Sequence, residues 1–300
     1  MAAPLHPQIE ALLQREDSTT GLDGEGGTPD LATLRASYLQ AALELGGEPQ
    51  AVARVEEIVA AGVPVRVYEP LGGSPAGAGV LLWHHGGGWV MGDLPGFDHV
   101  ARELANVTRR WVVSVDYRLA PEHPHPAAER DAAAVLRWAA ADGAAHFGWE
   151  TDAIAVGGDS AGAQVAVAGA LAAPGVAAEQ LLVYPALDAA MDSESYEEFA
   201  AGPMLTRAAM AACWTAYLAG GTGPVAPLDG SDLAGLPPAR IALAGHDPLR
   251  DEGARYAREL EAAGVPVDLR VFDDMTHGFL RWGGVVDRAH DLIAWLARAA

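Results

Sequence analysis

The segment Gly158-Asp-Ser-Ala-Gly162 sets a serine between two glycines, with the apolar run 153–156 before it and a stretch of small residues from Ala161 after it. A strand, a sharp turn and a helix in that order lift the Ser160 hydroxyl to an apex, and the glycines leave space where a Cβ would obstruct the turn. The start of such a helix aims free amides at whatever is bonded to that oxygen. A serine hydroxyl is a weak nucleophile at neutral pH and needs a base that is itself oriented by a carboxylate. Downstream, Asp247 lies in Ala244-Gly-His-Asp-Pro-Leu-Arg250, just past the apolar run 241–244, and His277 lies in Asp273-Asp-Met-Thr-His-Gly-Phe279, just past 267–272. Serine, then acid, then histidine is the chain order used by a nucleophile on a strand-turn-helix elbow. His246 and Asp251 compete with Asp247, because an Asp before Pro also forms turns, and His290 in a terminal helical pattern competes with His277.

A third element, His85-Gly86-Gly87-Gly88-Trp89, directly follows the apolar run 80–84. Acyl transfer develops negative charge on a carbonyl oxygen, and consecutive glycines let backbone amides approach it unobstructed. The amides of Gly87 and Gly88, with that of Ala161 after the serine, therefore form a candidate oxyanion hole, each donor contributing on the order of 100-fold to 1,000-fold in turnover. A merely flexible glycine loop is the plain alternative. Glu122-His-Pro-His125 and the His84-His85 pair invite a metal reading, but adjacent strand residues point to opposite faces and no established ligand spacing is present. No metal is expected. Cys213 sits in the apolar Met210-Ala-Ala-Cys-Trp214 and reads as a buried structural thiol.

Composition narrows the field further. The chain has 300 residues, half of them hydrophobic, enough to bury a substantial core in one large domain. All 19 basic residues are arginine, which removes every chemistry that requires a lysine amine, from phosphate loops to Schiff bases. A formal net charge of -21 makes nucleic acid and anionic membrane poor partners and favours a neutral or weakly polar small molecule. The N-terminal Met1-Ala-Ala-Pro-Leu-His6 lacks the charged and apolar regions of a secretory signal, and no apolar run reaches the length of a membrane span, so a cytoplasmic location is expected.

The elements that must position these residues follow from periodicity. Strands are expected over 65–68, 80–84, 111–116, 154–156, 181–184, 241–244 and 267–272, with helices over 97–108, 127–141, 161–171, 250–263 and 287–299 between most of them. Strands that are apolar on both faces, alternating with helices, predict a mostly parallel α/β sheet covered on both sides. Helical spacing at 9–13 and 31–45 flanks a polar, glycine-rich segment, 17–29, and a further helix is expected over 206–218. The interval between the strand ending near 184 and the one opening near 239 exceeds what a single crossover needs. It reads as an insertion at the carboxyl end of a strand, where open α/β sheets bind ligands.

Taken together, these motifs resemble the hormone-sensitive-lipase-like carboxylesterases of the α/β-hydrolase superfamily, bacterial family IV, in the subgroup with G-D-S-A-G at the elbow. The likeness runs through nearly the whole chain and includes Val115-Asp-Tyr-Arg-Leu-Ala-Pro-Glu-His-Pro124, Tyr184-Pro185, Leu205-Thr-Arg207, Gly245 to Gly253 and His277-Gly-Phe279. The resemblance implies an α/β-hydrolase fold with a helical cap formed by 1–50 and about 187–225, the rest of 51–300 being catalytic. It implies Ser160 as nucleophile, His277 as general base and acid, Asp247 as its orienting acid, and Gly87, Gly88 and Ala161 as oxyanion donors. Asp159, Asp116 and Glu122 would be structural supports. The implied activity is hydrolysis of short- to medium-chain acyl esters without a cofactor, by a monomer or homodimer. A deacetylase or amidase of a specialised metabolite, or a non-catalytic small-molecule receptor, are the alternatives. Two departures stand out: His125 where the family has Phe, and the glycine-rich run 21–27.

Overall fold

The computed structural model describes residues 3–15, 30–220, 225, 227–228 and 230–298. Among these described residues eight strands form one sheet: β1 (Arg54–Ala60), β2 (Val63–Glu69), β3 (Val80–His84), β4 (Trp111–Val115), β5 (Ile154–Asp159), β6 (Glu179–Val183), β7 (Ala239–His246) and β8 (Val267–Thr276). Their order is β1-β2-β4-β3-β5-β6-β7-β8. The β1/β2 and β2/β4 pairs are antiparallel, and every pair from β4/β3 to β7/β8 is parallel. Central strands β3, β4 and β5 are buried at every position, which is why they read as continuous apolar runs.

Among the described residues ten α-helices accompany the sheet: α1 (Pro7–Leu13), α2 (Leu31–Leu45), α3 (Asp98–Thr108), α4 (Ala127–Trp138), α5 (Ala144–Phe147), α6 (Ala161–Ala172), α7 (Glu194–Glu198), α8 (Arg207–Leu218), α9 (Arg250–Ala262) and α10 (Arg288–Leu296). Side chains alternate across the strands into two apolar clusters. Leu82, Val113 and Val156 pack with α4, α6 and α9 on one face; Leu81, Val112 and Ala155 pack with α3 and α10 on the other. Local chemistry sets the helix starts: the Asp30 carboxylate accepts from the Ala32 and Thr33 amides to open α2, and the Thr206 hydroxyl accepts from the Ala209 amide to open α8.

The α/β architecture agrees with the sequence reading, and the expected strands and helices recur within a few residues. One strand was missed. In β1 the apolar Val55 and Val59 face solvent while Glu56 is half-buried, so an edge strand carries an inverted pattern that alternation does not reveal. The glycine-rich 17–29 and the loop residues 221–224 lie outside the described residues. Among the described residues no helix is long and apolar enough to cross a membrane.

β7 and β8 fit against each other tightly where their register shifts between Ala244 and His246. A Cβ on Gly245 would lie 2.2 Å from the Asp273 carbonyl oxygen, a backbone atom that has nowhere to go. Gly245→Ala should therefore lower the free energy of unfolding by roughly 1–3 kcal/mol, read from urea denaturation. Gly235→Ala, whose Cβ would meet nothing within 4 Å, should stay within about 0.5 kcal/mol of the parent chain.

Candidate active site

Ser160 joins the end of β5 to the start of α6 with φ 53° and ψ -123°, a conformation that a non-glycine residue adopts only when its surroundings impose it. The surroundings do so. The Ser160 amide donates to the Val183 carbonyl, and the Ser160 carbonyl accepts from the amides of Ala163 and Ala186. α6 is pressed against the end of β3: a Cβ on Gly162 would lie 2.0 Å from the His84 carbonyl oxygen, and one on Gly158 would lie 2.4 Å from it. Any side chain at either glycine would push the elbow off the sheet.

β7 ends at His246 and β8 at Thr276, so Asp247 and His277 each follow a parallel strand on the same edge of the sheet as Ser160. The structure brings the three together. His277 Nδ1 donates to Asp247 Oδ2 at 2.7 Å, leaving Nε2 to accept from the Ser160 hydroxyl at 2.9 Å. Asp247 is fully buried, and its other oxygen accepts from the Leu249 amide at 2.9 Å, which fixes the carboxylate plane. The competing residues point elsewhere. His246 bonds the Ala3 carbonyl, Asp251 accepts from the Ser195 amide, and His290 donates to Glu103.

Glycine geometry also shapes the loop after β3. Gly87 has φ 128° and Gly88 φ 59°, and a Cβ on Gly87 would lie 2.3 Å from the Met91 carbonyl oxygen. Among the described residues the Gly87 and Gly88 amides have no hydrogen-bond partner, and the Ala161 amide, at the first turn of α6, is free as the geometry of a helix start requires. The loop is fastened on three sides. The Gly86 amide donates to Asp159 Oδ1 at 2.9 Å, the Tyr117 hydroxyl to the His85 carbonyl at 2.6 Å, and the Trp89 indole to Gln164 at 3.0 Å. Trp89 also stacks on Tyr217 of α8, ring centroids 4.4 Å apart.

Four of the residues in the histidine-rich motifs have defined side-chain contacts: His84, His85, Glu122 and His125. His84 Nδ1 donates to the Gly157 carbonyl and His85 Nδ1 to the Gly86 carbonyl, while burial pushes both imidazoles down to about 4, so they are neutral. Glu122 takes a bidentate contact from Arg35. The departure at His125 places a buried imidazole against Glu129 at 2.6 Å, in a cluster completed by the Tyr217 hydroxyl, so a polar network stands where an aromatic ring was expected.

A cavity opens at Ser160 and His277, walled by side chains from α2, the loop after β3, the segment before α8, α8 itself and the turn after β8: Tyr38, Met91, Met204, Met210, Cys213 and Arg281 among them. These residues carry no motif, which is why the sequence did not single them out. Cys213 is buried, as expected, and burial pushes its thiol up to about 12, so it stays protonated. It is nonetheless part of the cavity wall, against Gly88. A wider cleft of about 510 Å³ over Arg35, Asp93, Asp116 and Glu122 holds none of Ser160, Asp247 or His277 on its wall.

Asp159 is buried beneath this cavity, and burial pushes its carboxyl up to about 6, against the Arg281 charge and the Gly86 amide, which both favour the anion. The folded chain thus holds this proton more tightly than the unfolded one, whose carboxyl titrates near 3.8. Its contribution to stability is lost as pH rises from about 4 to about 6 and is flat above that. Asp159→Asn removes this term. The variant should gain stability relative to the parent chain across that window and hold a constant difference above it, measured as unfolding midpoints in urea from pH 4 to 8.

Comparisons with known proteins identify the fold family. Residues 81–281 match the α/β hydrolase fold family. The chain is 38% identical to the carboxylic ester hydrolase LipN of Mycobacterium tuberculosis over 97% of its own length and 82% of that protein. The esterase of the archaeon Pyrobaculum calidifontis superposes with a TM-score of 0.86 at 33% identity, covering 98% of this chain and 97% of that one. An esterase of the bacterial hormone-sensitive lipase family superposes with a TM-score of 0.83 at 28% identity over 99% and 97% of the two chains. The chain belongs to the α/β-hydrolase fold family, in its hormone-sensitive-lipase-like branch.

Proposed function

We propose that the chain is a serine carboxylesterase acting on small-molecule esters. The observation that carries this reading is the relay of two hydrogen bonds, Ser160 to His277 at 2.9 Å and His277 to Asp247 at 2.7 Å. Ser160 Oγ attacks the ester carbonyl carbon as its proton passes to His277 Nε2, and the buried Asp247 carboxylate stabilises the imidazolium that forms. Charge on the carbonyl oxygen is met by the amides of Gly87, Gly88 and Ala161, which the fold holds in place before substrate arrives. The tetrahedral adduct collapses, the alcohol leaves with the proton from His277, and an acyl group remains on Ser160. Water then attacks that acyl carbon, giving its proton to His277, and the carboxylic acid departs as Ser160 recovers its proton. His85, Gly86 and Asp159 act in this reading by holding the oxyanion loop, since Asp159 bonds Gly86.

Residues 1–50 and about 187–225 act as a cap over the catalytic remainder of 51–300. Supporting this, Tyr38 of α2 and Met210 of α8 reach the same cavity as Ser160. The cavity is small, about 60 Å³, which favours short acyl groups. A cytoplasmic location and a monomeric or homodimeric state belong to the same reading.

Ser160→Ala should abolish turnover of p-nitrophenyl acetate, and residual activity above roughly a thousandth of the parent rate would remove Ser160 from the mechanism. Asp247→Asn keeps the shape but offers His277 the wrong hydrogen-bond partner, so kcat should fall roughly 10,000-fold while KM changes little. Across p-nitrophenyl esters from acetyl to dodecanoyl, kcat/KM should peak at the short end. Met210→Ala, which opens the cavity wall, should move that peak to longer chains.

A further inference from the structure

Two arginines of the chain are buried to about 95%, Arg240 and Arg281, each 5% exposed. Arg240 pairs with Glu179 at 3.1 Å and donates to the Leu296 carbonyl, as a buried charge requires. Arg281 does neither in full. Among the described residues no carboxylate lies within ion-pair distance of it, its Nη2 donates to the Tyr38 carbonyl at 2.9 Å, and its Nε has no hydrogen-bond partner. The guanidinium lies 3.6 Å above the Tyr38 ring and 5.5 Å from that of Phe97. Aromatic faces partly offset the loss of water but do not neutralise the charge. Asp159, the acid on the same cavity wall, is committed to the Gly86 amide.

We propose that Arg281 is an anion subsite of the catalytic cavity and that the enzyme selects esters carrying a second, free carboxylate, half-esters of short dicarboxylic acids being the simplest members. The proposal rests on the esterase reading above. Arg281 lies four residues after His277, in the short helical turn Phe279–Trp282 that follows β8, and lines the same cavity as Ser160. A carboxylate in the cavity gives this buried cation the partner it lacks among the described residues. The net charge of -21 opposes an anionic substrate at long range, so the preference depends on the attraction of Arg281 inside the cavity. Hydrolysis of such a half-ester follows the same steps: the acyl–oxygen bond breaks, the alcohol leaves, water supplies the new hydroxyl, and the product is a dicarboxylic acid.

The test compares ethyl hydrogen succinate with ethyl succinamate, which has the same shape and a neutral amide in place of the carboxylate. In the parent enzyme kcat/KM should favour the half-ester by roughly tenfold or more. Arg281→Gln should reduce that ratio by roughly tenfold, and Arg281→Lys, which keeps the charge, should restore most of it. A parent ratio of one or less overturns the proposal. So does an Arg281→Gln ratio equal to the parent's with both rates reduced together, because Arg281 would then serve only to anchor Tyr38. Hydrolysis of p-nitrophenyl acetate, lost in Ser160→Ala, reports the esterase reading separately. Calorimetric binding of the two compounds to Ser160→Ala reads the subsite without turnover: tighter binding of the half-ester supports it, and equal or weaker binding overturns it.

Discussion

The contact on which the rest of the structure depends is the approach of α6 to the end of β3. Gly158 and Gly162 let the helix start lie against the His84 and His85 carbonyls at distances that exclude any Cβ. That approach forces Ser160 into a positive-φ conformation and brings the amides of α6 beside the glycine loop that β3 leads into. A strained elbow is affordable because it is overdetermined: the neighbouring strand binds its amide, its own carbonyl takes two donors, and the helix behind it is buried along nearly its whole length.

Around that contact the fold places polar groups in graded depth. Asp247 is fully buried yet well satisfied, by His277 on one oxygen and the Leu249 amide on the other. Asp159 is equally buried, with one oxygen committed to Gly86 and its charge opposed by desolvation. Arg281 lies at similar depth with no carboxylate within ion-pair distance among the described residues. Burial of unpaired charge is disfavoured by several kcal/mol, and Arg240, which lies outside the cavity wall, is paired in the ordinary way.

The glycine loop after β3 is also tied to the helices above it. Trp89 bonds Gln164 of α6 and stacks on Tyr217 of α8, and Tyr217 in turn meets the His125–Glu129 pair. The substitution of His for the family's aromatic residue at 125 therefore does not reach Ser160 directly. It changes what α8 rests on, through a buried polar cluster rather than an apolar one.

The sequence by itself determined the elements that depend on nearest neighbours and strong periodicity: the buried strands, the helices between them, the elbow around Ser160, the glycine loop, and the placement of Asp247 and His277 just past strand ends. Each of these is a local requirement, for room without a Cβ, for an apolar strand buried on both faces, or for a turn at the carboxyl edge of a parallel sheet. β1 was not legible because an edge strand buries little and shows its valines to solvent. Nor were Tyr38, Met204, Met210, Cys213 and Arg281 legible as neighbours of Ser160, since they come from distant stretches of the chain and carry no common spacing. Only the tertiary structure decided that they share one cavity and that, among the described residues, the buried Arg281 there has no carboxylate within ion-pair distance, because desolvation and pairing are properties of three-dimensional surroundings that a residue type does not encode.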